Sequence, residues 1–133
     1  AGAYYNLGKV FANQGKIKEA ILNYRKALSF SPYMPEILYN LSWILACHVD
    51  EKYRNGKEAV QLAETLCKIT QYKQPLAFDA LAAAYAETGR FEEAVLTAQK
   101  ALKLALLYGP KELAPNLKKR LRLFQAGQPY IEG

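Results

Sequence analysis

Residues 4–11 read Tyr4-Tyr5-Asn6-Leu7-Gly8-Lys9-Val10-Phe11, and residues 78–85 read Phe78-Asp79-Ala80-Leu81-Ala82-Ala83-Ala84-Tyr85. An aromatic, a leucine, a small residue and a second aromatic follow in the same order in both. The pairs Tyr4/Phe78, Leu7/Leu81, Gly8/Ala82 and Phe11/Tyr85 share one offset. The same offset carries Gly15 to Gly89, Ile17 to Phe91, Glu19 to Glu93, Ala20 to Ala94, Lys26 to Lys100 and Ala27-Leu28 to Ala101-Leu102. One shift kept across apolar, small and glycine positions marks an internal repeat, and a repeat decides the architecture before local propensity does.

A third copy lies between these two. Leu38, Leu41, Ser42 and Leu45 follow the first half of the pattern, and Ala59, Val60, Ala63 and Leu66 follow the second. That second half arrives late, so the middle copy carries an extended turn over His48–Arg54. Within each copy apolar residues recur at helical spacing, as in Leu7/Phe11 and Ala20/Tyr24/Ala27, which predicts two antiparallel helices. Gly15 and Gly89 stand where the first helix must stop with a positive φ. Pro35, Pro75 and Pro110 each suit a first helical turn, where the missing N–H has no intrahelical partner to lose. Small residues at Gly8, Ala20 and Ala27 allow the two backbones to approach closely.

These residues resemble the tetratricopeptide repeat, the helix–turn–helix unit of about 34 residues. In the first copy Tyr4, Leu7, Gly8, Phe11, Ala20, Tyr24, Ala27 and Pro32 fall in that family's order, with Tyr4 in place of the usual tryptophan. The last copy departs at Ala98 and Leu106, and the middle copy is the most divergent. The resemblance implies an all-α, right-handed α-solenoid of three helix pairs plus a C-terminal capping helix, seven helices in all. The expected repeats span about 1–34, 35–74 and 75–108, with a cap over about 110–126 completing one domain, 1–126, and a tail over 127–133. Segments such as Tyr53–Val60 and Leu81–Val95 also resemble the C-terminal repeat regions of large bacterial proteins, some similar to membrane-anchored glycosyltransferases that carry a repeat tail.

In this family the first helices of successive repeats line a concave groove. Carried over by position, that groove takes Tyr5, Lys9, Ala12 and Asn13 from the first copy. Glu36, Tyr39, Trp43, Ala46 and Cys47 come from the second, and Leu76, Asp79, Ala83, Ala86 and Glu87 from the third. Tyr39 and Trp43 are one helical turn apart, so an aromatic and cationic groove is expected, suited to an extended peptide or a short helix. Asn40 matches one position of the set with which chaperone-binding members hold a C-terminal carboxylate. Tyr5, Lys9, Leu76 and Ala80 occupy the others, so tight capture of chaperone tail peptides is not expected.

The stretch from Trp43 to Val60 holds the sole tryptophan and the sole histidine, with Cys47 and several acids beside them. A catalytic dyad needs thiol and imidazole facing each other, yet consecutive helical residues diverge by about 100°. Cys47, His48 and Asp50 are also too crowded for a familiar zinc spacing. No catalytic residue, metal, cofactor or small-molecule substrate is therefore expected, and Asn55-Gly56 reads as the cap of the next helix. Cys47 and Cys67 form no CxxC pair and read as reduced thiols in helices, with a disulfide as the alternative.

With 133 residues, 51% of them apolar, the chain is large enough for one core. No apolar run approaches the ~20 residues of a membrane span, and no basic-then-apolar leader is present. The net charge of +6 includes Lys118, Lys119, Arg120 and Arg122 in the cap. Leu113, Leu117, Leu121 and Phe124 make its apolar stripe, with the basic cluster largely opposite and solvated, as a terminal cap requires. Pro115 is expected to kink or shorten the start of that helix, and Tyr130-Ile131 are expected to fold back onto it. Nucleic-acid binding by the cap ranks last of three readings. The leading one is capture of a protein or peptide partner in the groove. The other is a purely structural end of a longer solenoid, with Tyr4 and Val10 on a first helix open to self-association.

Overall fold

The computed structural model describes residues 2–132, and among them the chain is all-helical. Its α-helices are α1 (Gly2–Asn13), α2 (Ile17–Phe30), α3 (Pro35–Cys47), α4 (Gly56–Ile69), α5 (Pro75–Glu87), α6 (Phe91–Tyr108) and α7 (Ala114–Gln125). α1 packs on α2, α3 on α4 and α5 on α6; the pairs stack through α2 on α3, α4 on α5 and α3 on α5. Among the described residues, three serial helix pairs followed by α7 agree with the helical repeat array predicted from the offset.

Each helix pair closes on small residues. Ala20, Ala27, Ala59, Ala63, Ala94 and Ala101 on the second helices are fully buried, as is Ala82 on α5. Gly8 is the tightest crossing: a Cβ there would lie 2.7 Å from the Tyr24 ring. Real Cβ atoms do not approach that closely, so glycine is what lets α1 and α2 meet. Gly15 and Gly89 end the turns after α1 and α5 at φ +76° and +80°. Their amides bond back to Ala12 and Ala86, satisfying carbonyls that the helix end leaves free. Pro35 and Pro75 open α3 and α5 at the first helical position.

The middle pair accommodates its longer turn with a 3-10 turn over Glu51–Tyr53. The Asp50 carboxylate accepts from the Lys52 amide at 3.1 Å, and the Asn55 side chain accepts from the Glu58 amide at 3.1 Å to cap α4. The Asn55 amide in turn donates to the Leu45 carbonyl at 2.7 Å, tying the insertion to α3. Arg54 donates to the His48 carbonyl at 2.7 Å and pairs with Glu87 on α5 at 3.1 Å. His48 accepts from the Asp50 amide at 2.9 Å and meets the Tyr53 ring edge-on. His48, Asp50, Arg54 and Asn55 each hold this turn through a side-chain hydrogen bond.

The cap differs from its expected form in two respects. Pro110 does not open a helix; a 3-10 turn over Lys111–Leu113 follows it, and α7 starts at Ala114 with Pro115 in its first turn. Lys118, Lys119 and Arg122 are exposed as expected, but the Arg120 side chain is only 11% exposed. Arg120 lies three residues after Leu117 and four before Phe124, both buried, which puts it on the packed face rather than opposite it.

Candidate binding groove

Side chains link α1 to α3 through Tyr5 and Asn40, and α7 to α3 and α5 through Arg120, with several expected groove residues among them. Near α1, the Tyr5 hydroxyl accepts from the Asn40 side-chain amide at 3.3 Å, and the Lys9 ammonium lies 5.3 Å from the Tyr5 ring centre. Tyr39 and Trp43 stack at 5.9 Å with planes 15° apart, as one helical turn requires. Burial pushes the Tyr39 hydroxyl up to about 12, so it stays a neutral donor at physiological pH. Between these residues lies an open cavity of about 470 Å³, lined by Tyr5, Pro35, Glu36, Tyr39, Asn40 and Leu76 among others. Asn13 stays exposed at the last turn of α1.

Asp79 behaves differently from the open binding residue expected of it. It is 2% exposed, and both carboxylate oxygens accept from Arg120, at 2.8 Å from Nε and 2.7 Å from Nη2. A buried carboxylate without such a fork would be costly, so the sequence position demanded a cation and α7 supplies it. Burial pushes the Asp79 carboxyl above the ordinary carboxylate range, while the Arg120 hydrogen bonds pull the other way. Ala46, Cys47, Ala83 and Ala86 are likewise buried wall residues, and Glu87 is engaged by Arg54. Burial also pushes the Cys47 thiol far above its usual range, which leaves it protonated.

The Arg120 guanidinium held by Asp79 sits 5.4 Å from the Trp43 ring and 5.1 Å from the Tyr130 ring. Tyr130 belongs to the tail, and it contacts Trp43 directly at 5.9 Å between ring centres. The Glu132 amide donates to the Cys47 carbonyl at 2.8 Å, and the Trp43 indole N–H donates to the Glu132 carboxylate. The tail therefore folds back to touch α7 at Arg120, as expected, and goes on across the end of α3. Arg120, Tyr130 and Glu132 are the site residues that sequence reading missed. For Arg120 the signal was present in its spacing from Leu117 and Phe124. For the tail the sequence signalled a fold-back but not its contacts with Trp43 and Cys47.

A larger hollow, about 830 Å³, opens on the α4–α6 side between Glu64, Lys68, Tyr85 and Lys100. Its rim mixes both signs of charge.

Two family models, each described as tetratricopeptide repeat, match the chain at residues 1–34 and 77–112. The chain belongs to the tetratricopeptide repeat family. Such repeats generally serve protein–protein interaction or scaffolding. The middle copy, whose turn carries the 3-10 insertion, lies between the matched segments. No curated protein matches the chain.

Proposed function

We propose that this chain is a protein-interaction module that holds an extended segment of a partner protein against α1, α3 and α5. The observation that carries the reading is the open cavity between Tyr5, Glu36, Tyr39 and Asn40, continuous through Tyr39 with the aromatic platform on Trp43. Exposed Glu36 lines it from α3, and exposed Lys9 and Asn13 follow Tyr5 along α1. Rings supply rigid contact area at little entropic cost, and the amide and hydroxyl at Asn40 and Tyr5 offer a peptide backbone both donor and acceptor. Asp79 supports the site from within by fixing Arg120 rather than by touching the partner.

The test is a random peptide display library panned against the chain, followed by amide chemical-shift mapping with the enriched peptide. Shifts clustered on α1, α3 and α5, and lost in Tyr39→Ala, are the expected result. Shifts confined to α2, α4 and α6 would refute the groove as the binding surface.

A second reading has its own support. Leu7 and Val10 on α1 are 45% and 48% exposed, whereas the equivalent Leu41 and Leu81 are buried on helices that have α2 or α4 packed before them. The α1 face thus has the form of a stacking surface for another helix pair or a second copy. Light scattering over a concentration series, with Leu7→Glu as the control, measures whether copies associate there.

A further inference from the structure

We infer that the tail is a built-in ligand of the groove, standing in for a partner segment in which an aromatic residue is followed two positions later by a carboxylate on an extended backbone. This rests on the groove being the binding surface and specifies what it recognises.

The tail makes the contacts that a bound peptide makes. α7 ends at Gln125, and Gly127 at φ +71° turns the chain back toward α3. Pro129 has a fixed φ and no amide hydrogen, and it biases Gln128 before it toward extended backbone. Tyr130 then lays its ring against Trp43 and the Arg120 guanidinium. Two positions on, the Glu132 amide finds the Cys47 carbonyl, one of the last carbonyls of α3 that no helical amide can reach. Its carboxylate takes the Trp43 indole N–H, a donor that would otherwise face solvent. The ring meets Trp43 and Arg120, the backbone meets Cys47 and the carboxylate meets Trp43 again, and all three of these residues sit on elements fixed by the core.

The tail is also held lightly. Gln128, Pro129 and Glu132 are exposed, and only Tyr130 and Ile131 are half-buried. A segment fastened this way leaves more readily than a core element. While tethered it competes at an effective concentration on the order of millimolar, so an incoming segment must outcompete it. Tyr39 belongs both to the Trp43 stack and to the open cavity, so a longer partner would cover the tail's position and run on toward Asn40 and Tyr5.

The experiment compares the full chain with its Tyr130→Ala/Glu132→Ala variant. The probe is a fluorescently labelled peptide copying residues 127–133, Gly-Gln-Pro-Tyr-Ile-Glu-Gly, read by anisotropy. The opened variant should bind the peptide at least about tenfold more tightly than the parent chain, because the tethered competitor has lost its anchors. Replacing the peptide's tyrosine by alanine or its glutamate by glutamine should each weaken binding by about tenfold. Trp43→Phe in the opened variant, which keeps a ring and removes the N–H, should erase the glutamate preference. Equal or absent binding by the two chains would overturn the inference. So would a melting temperature so reduced in the opened variant that the tail must count as core. A parent chain that dimerises while the opened variant stays monomeric would place a second copy's tail in the site and overturn occupancy within one chain. If library peptides of another composition still map to α1, α3 and α5, the groove reading stands and this inference alone fails.

Discussion

Breaking the Asp79–Arg120 pair one side at a time should give unequal losses, and the inequality follows from burial. The Asp79 side chain is 3% exposed and that of Arg120 is 11%. Removing one partner of a buried pair costs about 3–5 kcal/mol, because the other charge is left without compensation. In Asp79→Ala the stranded guanidinium keeps an edge near water and the Trp43 and Tyr130 rings, so the cost should fall at or below the low end of that range. In Arg120→Met the stranded carboxylate has no such relief. Against a domain stability of about 5–15 kcal/mol, a loss near 4 kcal/mol lowers the melting temperature by about 10–20 °C.

The pH dependence fixes the sign. Burial already raises the Asp79 carboxyl, and Arg120→Met removes the hydrogen bonds that oppose the rise. A carboxyl whose folded pKa lies above its unfolded value of about 3.9 binds more protons when folded. Stability is then full below the unfolded value and falls as pH rises through the folded one. Arg120→Met should therefore recover stability on going from pH 7 to pH 5, while Asp79→Ala should not. The double variant Asp79→Leu/Arg120→Met should melt near the parent, since apolar replacement of a buried pair is often neutral. Urea denaturation followed by circular dichroism at the two pH values measures all of this. Additive single losses in the double variant, or an Arg120→Met chain indifferent to pH, would refute the reasoning.

Gly8→Leu should destabilise by roughly 1–3 kcal/mol in a thermal melt, because overpacking against the buried Tyr24 ring outweighs the helix propensity of up to about 1 kcal/mol gained by replacing glycine. Asn55→Ala should cost about 1 kcal/mol in urea by exposing the first turn of α4 without its cap. Cys47 and Cys67 should resist thiol reagents at pH 8 until denaturant is added, since both are buried and Cys67 is pushed up to about 12. Both thiols ionise in the unfolded chain near 8.5, so stability should begin to fall above that pH. The slope is up to about 1.4 kcal/mol per pH unit for each thiol, and Cys47→Ala/Cys67→Ala should flatten it.

Sequence alone determined that the chain is a series of helix pairs. It could do so because these depend on short-range signals: Gly15 and Gly89 at the turns, Pro35 and Pro75 at helix starts, and small residues wherever two helices cross. It also placed Tyr5, Tyr39, Asn40 and Trp43 on one face, since repeating units repeat their facing positions. What it did not determine is who meets whom across long separations. Asp79 and Arg120 lie on α5 and α7, and nothing in either neighbourhood names the other; Arg120 read as one more solvated cation in a basic run. The tail carried no periodicity at all, and its seat on Trp43 exists only because α7 ends where Gly127 can turn it back toward α3. Local geometry is written in spacing, but the pairing of a buried charge and the resting place of a short extended segment are settled by proximity in three dimensions.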